Sequence, residues 1–198
     1  MSAIHEHVLQ NGMTLLCWPQ RHLHGLEFGL YLKGGPLYET EETQGISNLL
    51  EHLCFRGLGG LNREGLLREL NRFGTNLDAA TYAEGLVFRL KCLPRFFDAA
   101  LEYFLRFFAN VPWTPEQIAA EKQVVLRQLE ADGDGDLFDR AACDFRKTEN
   151  GAFPPLGTPE SLMALTEADI QLWQEMIFQP QNACLVMTGN FSDGMELA

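Results

Sequence analysis

A short polar cluster in this sequence has the spacing of a metal-binding helix. Asn48, Glu51 and His52 fall within the segment ISNLLEHLC. Residues three and four positions apart are neighbours on one helix face. Positions 48 and 52 could therefore share a metal ion while the carboxylate of Glu51 reaches a metal-bound water. The segment has the layout of the zinc motif H-x-x-E-H, with asparagine in place of the first histidine.

The apolar residues around this cluster predict the helix that presents it. Ile46, Leu49, Leu50 and Leu53 recur at helical spacing, and glycines follow the segment, which predicts a helix over 45–56. These four residues lie on one face, which is expected to pack in the core. The opposite face is expected to present the polar side chains to a ligand.

Further sequence signals predict an α+β domain around that helix. Asn11-Gly12 between two extended runs predicts a hairpin, and the alternating segment LEFGLYLK (26–33) predicts a half-buried strand. The interleaving of strands and helices favours a mixed, mostly antiparallel sheet covered by helices on one face, within a single domain over residues 1–198. The other predicted elements are strands near 75–80, 85–91 and 183–190 and helices at 62–74, 94–108, 115–131, 137–148 and 166–179.

Charge and composition exclude several classes of partner. The chain has 198 residues, with 15 Lys and Arg against 27 Asp and Glu, and a formal charge of -12. Such a chain is repelled by nucleic acid and by anionic membranes. No apolar run is long enough to span a bilayer, so no membrane partner is expected. Five widely spaced cysteines without a C-x-x-C pair indicate reduced thiols and a cytoplasmic location.

Several segments together resemble one enzyme family. The segment GISNLLEHLCFRG resembles the signature G-x-x-H-x-L-E-H-x-x-F-x-G of the insulinase, pitrilysin and mitochondrial processing peptidase family of zinc metallopeptidases. The segments GTNLDAAT (74–81), EKQVVLRQLEADGD (121–134) and 156–191 are similar to later motifs of that family. The resemblance covers nearly the whole chain. It implies one α+β half of a clamshell whose two homologous halves close on an extended peptide, and the second half is absent from these residues.

The resemblance also implies which residues form the site. The three zinc ligands of the family correspond to Asn48, His52 and Gln128, and its general base corresponds to Glu51. A second glutamate of the family, one heptad before the last ligand, corresponds to Glu121.

A substrate strand is implied beside the segment that contains Asp78 and Ala79, where the family usually has asparagine instead of Asp78. The peptide would add to this strand by β-augmentation.

Two of the three implied ligands are neutral amides, which are poor zinc donors beside imidazole or carboxylate. Zinc is therefore expected to be weak or absent in this chain. The amide of Asn48 can instead hydrogen-bond Glu51, His52 or Gln128, which would give a metal-free polar cluster of similar shape. Glu121 and Gln128 are two turns apart on one helix stripe, so both are expected to face the same place.

Three hypotheses for function follow. The first is a catalytically degraded peptidase-family domain that binds peptide or supports an active partner subunit or second half. The second is an active zinc metalloendopeptidase with an altered ligand set, in which Glu51 is the general base and Glu121 is a further catalytic residue. In that set, weak zinc would be held by His52, Glu121 and Glu51 in a shifted geometry. The third is a purely structural scaffold subunit with a stable partner and no peptide affinity.

Overall fold

A six-stranded sheet forms the frame of the fold. In the computed structural model, residues 4–109, 112–131 and 153–191 are described. The sheet has the order β1-β2-β8-β3-β7-β6, and a separate two-stranded ribbon is formed by β4 and β5. The pair β2–β8 is parallel and the other pairs are antiparallel. The strands are β1 His5–Val8, β2 Thr14–Pro19, β3 Leu26–Lys33, β4 Gly57–Leu58, β5 Leu61–Asn62, β6 Leu77–Tyr82, β7 Gly85–Cys92 and β8 Ala183–Gly189.

Helices cover one face of this sheet. Among the described residues, no helix is both long enough and apolar enough to cross a membrane. The α-helices are α1 Ile46–Cys54, α2 Arg63–Phe73, α3 Phe97–Leu105, α4 Pro115–Ala131, α5 Pro159–Ala164 and α6 Glu167–Ile177. Short 3-10 turns occupy Pro36–Tyr38, Pro94–Phe96, Arg106–Phe108 and Pro180–Asn182.

The two faces of the sheet differ sharply in burial, as strand β3 illustrates. Phe28 and Leu30 point towards the helices and are fully buried, whereas Tyr31 points to the opposite face and is 45% exposed. This alternation follows from the two-residue period of a strand. The helix-covered side therefore holds the core, and the other side remains open in the described part of the chain.

The predicted α+β class is confirmed, with some differences in the elements. The Asn-Gly hairpin and strand 26–33 form as predicted. The predicted helix 94–108 is divided, because 3-10 turns precede and follow α3. The ribbon β4–β5 and helix α5 were not predicted, since both are too short to give a periodic pattern. The predicted helix 137–148 lies outside the described residues.

A capping box fixes the start of α4, the helix that carries Glu121. The backbone N–H of Thr114 donates to Gln117 Oε1 at 2.8 Å, and the backbone N–H of Gln117 donates to Thr114 Oγ1 at 3.3 Å. This reciprocal pair satisfies two of the helix's unpaired N-terminal donors. Glu121 therefore lies two turns after a helix start that the capping box fixes.

A distant carboxylate caps α1, the helix that carries the polar cluster. Glu39 is buried and accepts the backbone N–H groups of Gly45 at 2.8 Å and Ser47 at 3.0 Å. Helix N-termini favour such a negative charge. Burial raises the pKa of Glu39, although these hydrogen bonds act in the opposite direction. The cap anchors α1 to the segment that follows β3.

We expect the variant Glu39→Ala to lower the free energy of unfolding by about 2 kcal/mol, because two buried N–H groups lose their acceptor. Urea denaturation of the variant and the parent measures this difference. The matched control is Glu41→Ala, which removes an exposed carboxylate two residues away and should have little effect. Equal losses in the two variants would contradict the capping role.

Candidate functional site

The packing of α1 against α4 brings three ionisable side chains together. His52 Nδ1 lies 3.3 Å from Glu121 Oε2, and Arg56 Nε hydrogen-bonds the other oxygen, Oε1. Glu121 is 5% exposed, and the side chains of His52 and Arg56 are 19% and 27% exposed. A buried carboxylate thus has two cationic or potentially cationic neighbours.

These contacts determine the charge state of Glu121. Burial acts to raise its pKa, but the hydrogen bonds and positive charges of His52 and Arg56 outweigh burial and lower it. An ionised carboxylate only accepts hydrogen bonds. The Nδ1 atom of His52 must therefore carry its proton, which leaves Nε2 as the ring nitrogen with a free lone pair in the neutral imidazole.

Glu51, the implied general base, contacts the edge strand β6. Thr81 Oγ1 donates a hydrogen bond of 2.5 Å to Glu51 Oε2. Glu51 is 9% exposed, and burial raises its pKa. The hydrogen bond from Thr81 and the charge of His52 oppose this effect, whereas the charge of Asp78 adds to it. A carboxyl with a raised pKa is suited to exchange a proton nearer neutral pH.

The raised pKa predicts how stability depends on pH. Over the interval between the ordinary glutamate pKa and its raised value in the fold, the folded state binds more protons than the unfolded state. Stability from this group therefore falls as pH rises through that interval. We expect Glu51→Gln, which can still accept the Thr81 hydroxyl proton, to be more stable than the parent at neutral pH.

Urea denaturation at several pH values measures this effect. The advantage of Glu51→Gln should disappear below the ordinary glutamate pKa, where both side chains are neutral. The control is Glu64→Gln on α2, whose side chain is 83% exposed and should give no comparable change. An advantage that stays constant down to low pH would contradict the raised pKa.

Asn48 does not form the hydrogen bond that the sequence allows. The residue is 9% exposed, and its Oδ1 atom is buried without a partner. Asn48 forms none of the hydrogen bonds to Glu51, His52 or Gln128 that the sequence allows. The nearest polar side chains make their hydrogen bonds elsewhere, Glu51 to Thr81 and His52 Nδ1 to Glu121.

Gln128 differs from Glu121 in burial. Its side chain is exposed and hydrogen-bonds none of the described residues, whereas Glu121 on the same stripe is buried. Seven helical residues span roughly 10 Å along the axis. Glu121 contacts α1, whereas Gln128 lies two turns further along α4, outside the hydrogen bonds that join Glu121 to His52 and Arg56.

The polar side of α1 is more enclosed than the sequence indicated. Asn48 and Glu51 are buried almost as deeply as the outermost core residues, such as Leu77, because α4 and β6 pack beside α1. His52, Arg56 and Glu121 line a small cavity of about 290 Å³ together with Phe55, Arg63 and Val124. In the described part of the chain, no group of three or more His, Cys, Asp or Glu side chains is arranged to hold a metal ion.

The implied substrate strand is an edge of the sheet. Strand β6 pairs with β7 on one side and has no partner on the other among the described residues. Asp78 is exposed and forms an ion pair of 3.0 Å with Arg89 Nη2 on the open face. Ala79 points to the opposite side, as does Thr81. The two implied substrate residues therefore face different sides of the sheet.

Sequence reasoning missed two residues of this site, Arg56 and Thr81. Arg56 is four residues after His52, a spacing that places both on one side of a helix end. Thr81 is two residues after Ala79 along β6, so both point to the side of the sheet that α1 covers. Both signals were present in the sequence, but the partners, Glu121 and Glu51, are distant in sequence.

Comparison with known proteins identifies the family. A sequence profile described as "Insulinase (Peptidase family M16)" matches residues 24–142 of the chain. The chain belongs to the insulinase family, peptidase family M16.

Similar M16 proteins are found in bacteria and mitochondria. An uncharacterised zinc protease of Rickettsia felis is 26% identical over 92% of this chain and 45% of its own length. The beta subunit of the mitochondrial processing peptidase of Caenorhabditis elegans is 27% identical over 72% of this chain and 32% of its own length. The chain thus spans about half, or less, of the curated relatives it matches.

Solved structures share the M16 fold of this chain. A protease from Helicobacter pylori matches with a TM-score of 0.88 and 22% identity, over 97% of this chain and 47% of its own. A "peptidase M16 inactive domain" from Pseudomonas fluorescens matches with a TM-score of 0.83 and 17% identity, over 96% of this chain and 47% of its own. At these identities the likeness concerns the fold alone.

Proposed function

We propose that this chain is a non-catalytic M16 domain that has lost tight zinc binding and binds extended peptide along strand β6. The observation that carries the proposal is the state of the ligand positions. Asn48 is buried with an unpartnered oxygen, and Gln128 is exposed on the far part of its stripe. His52 is the single strong zinc donor among the three positions, and one strong donor does not hold zinc tightly.

The charge of Glu121 supports the same reading. Its carboxylate is already neutralised by Arg56 and contacted by His52, so a metal ion would have to compete with an internal cation. The donor set of this chain therefore does not fit a catalytic zinc ion. The peptidase M16 inactive domain from Pseudomonas fluorescens has a similar fold, so non-catalytic domains occur on this fold.

The free edge of β6 supports peptide binding. An unpaired edge presents a row of backbone N–H and C=O groups that an extended chain can pair with. The site on α1 adjoins this edge through the bond between Glu51 and Thr81. Because the chain spans about half the length of its relatives, we propose that a second homologous half or subunit covers the bound peptide.

Two measurements on the unmutated chain test the proposal. Zinc content by elemental analysis, after equilibration with zinc and removal of free metal, is expected to be far below one ion per chain. Near-stoichiometric zinc that is lost in His52→Ala would favour the alternative, an active metalloendopeptidase with Glu51 as general base.

The peptide-binding part is tested by amide hydrogen exchange. A peptide that favours extended structure, of alternating Thr and Val, is expected to slow exchange at the free edge of β6 and to leave the opposite edge strand β1 unchanged. Unchanged exchange at β6 would contradict peptide binding and favour a purely structural subunit.

A further inference from the structure

A second cavity lies at the end of the sheet where β6 begins. This cavity, here called the end groove, has a volume of about 660 Å³. It is lined by the segments that precede β3 and β6 and by the segment that follows β7. The end of β8 completes its lining. Its described lining is made of residues 23–27, 71–75, 91–93, 95–96 and 188–189.

The end groove concentrates positive charge in an acidic protein. Arg72, Lys91 and Arg95 line it, whereas Glu27 is the single acidic residue among its described lining. Glu27 is paired with Lys91 at 3.6 Å. Neither Arg72 nor Arg95 forms an ion pair with a described residue. Two exposed guanidinium groups thus line one groove without an ion-pair partner among the described residues.

Arg95 is held in an orientation that favours an anionic ligand. Its guanidinium lies over the ring of Phe96, 4.8 Å from the ring centre. Stacking on a ring leaves the N–H groups at the edge of the guanidinium free to donate, and their fork geometry matches a carboxylate. Leu23 and Leu93 are 43% and 44% exposed beside these charges, so the groove also offers apolar contact.

The end groove adjoins the start of β6. Gly74 and Thr75 line the groove, and β6 starts at Leu77. Successive strand residues are roughly 3.3 Å apart, so a peptide paired along β6 passes Thr75 two residues beyond its contact with Leu77. The same peptide spans roughly 20 Å from Thr81 to Thr75.

We infer that the end groove binds acidic side chains of a peptide whose preceding or following residues pair with β6, through Arg72 and Arg95. The inference rests on the proposed peptide-binding function and adds a preference for peptides with Asp or Glu beyond the paired segment. The net charge of -12 does not prevent this preference, because salt screens charges beyond about 8 Å at physiological ionic strength.

Fluorescence anisotropy with three labelled, terminally blocked peptides tests the inference on the whole chain. Each contains the core Thr-Val-Thr-Val-Thr-Val. One carries Asp-Glu-Asp after the core, one carries it before the core, and the third carries Asn-Gln-Asn after the core. Antiparallel pairing is slightly favoured, and it places the carboxyl end of the peptide at the start of β6, beside the end groove. The peptide with the acidic extension after the core is therefore expected to bind roughly tenfold more tightly than the neutral peptide.

Matched variants assign the preference to the groove. Arg72→Gln/Arg95→Gln should reduce the acidic preference to near unity, so that the acidic and neutral peptides bind with similar affinity. The control Arg68→Gln removes a charge one turn away on α2 that does not line the groove, and it should keep the preference. All three positions are exposed, so the variants are expected to fold, and circular dichroism checks this.

The outcomes separate this inference from the function on which it rests. A preference at either end that depends on Arg72 and Arg95 supports the inference, and the end concerned gives the direction of the bound strand. Equal binding of all peptides to the parent, or a preference that survives in the double variant, overturns the inference while peptide binding stands. Failure of every peptide to bind overturns both.

Discussion

The double variant Asn48→His/Gln128→Glu is expected to bind zinc roughly a thousandfold more tightly than the parent chain. Loss of a group that merely orients a metal ligand lowers affinity by about 10- to 100-fold. Restoring two ligands should raise it by at least the product of two such factors. The variant would offer two imidazoles and a carboxylate, which is the donor set that zinc prefers.

Competition against a chelating zinc indicator measures this affinity, and thermal unfolding gives an independent readout. At a zinc concentration 100 times the dissociation constant, bound zinc should add about 2.7 kcal/mol to the free energy of unfolding. The matched control is the triple variant that also carries His52→Ala, which should bind poorly again.

Two results would contradict the proposed loss of zinc. Tight zinc binding by the parent would show that Asn48 and Gln128 do not limit affinity. Weak binding by the double variant would show that the position of residue 128, exposed and two turns beyond Glu121, prevents it from completing the site.

Breaking the ion pair between α1 and α4 is expected to have the largest effect on stability. Arg56→Met should lower the free energy of unfolding by about 3 kcal/mol, because it leaves the buried carboxylate of Glu121 without its cation. The double variant Arg56→Met/Glu121→Leu should recover much of this loss, since an apolar pair leaves no buried charge.

The effect of Arg56→Met should depend on pH in a defined direction. The pKa of Glu121 is lowered in the fold, so this carboxylate stabilises the protein above its unfolded pKa. That stability is lost as pH falls through the lowered pKa. The difference between parent and variant should therefore shrink in acid.

Urea denaturation of the four members of the cycle measures the interaction. The exposed pair of Arg68 and Glu64 on α2, 4.0 Å apart, is the control, and Arg68→Met should change stability by less than about 0.5 kcal/mol. A similar small change in Arg56→Met would contradict a structural role for the buried pair.

The sequence predicted the elements of the fold well where periodicity is strong. Helix α4 and strand β3 have the predicted bounds, because a capping box and a clean alternation specify them locally. The order of the sheet could not be predicted in the same way. It depends on pairing between strands far apart in sequence, such as β3 with β8.

The site was predicted in its composition more than in its arrangement. The family motif implies that His52 and Glu121 belong to one site, and the two side chains are indeed close together. The burial of Asn48, in contrast, does not follow from helix periodicity alone. Periodicity separates an apolar face from a polar face within one helix. It does not report that β6 and α4 enclose the polar face as well.

The central place of β8 has a consequence for how the chain reaches its fold. This strand lies between β2 and β3, yet it is the last described strand along the chain. The ribosome must therefore synthesise almost the whole described chain before the six-stranded sheet can form. Until then, β1–β2 and β3–β7–β6 are two separate groups of strands. Such non-local pairing slows folding and exposes strand edges meanwhile. Chaperone dependence during synthesis should accordingly be concentrated in the interval before β8 emerges.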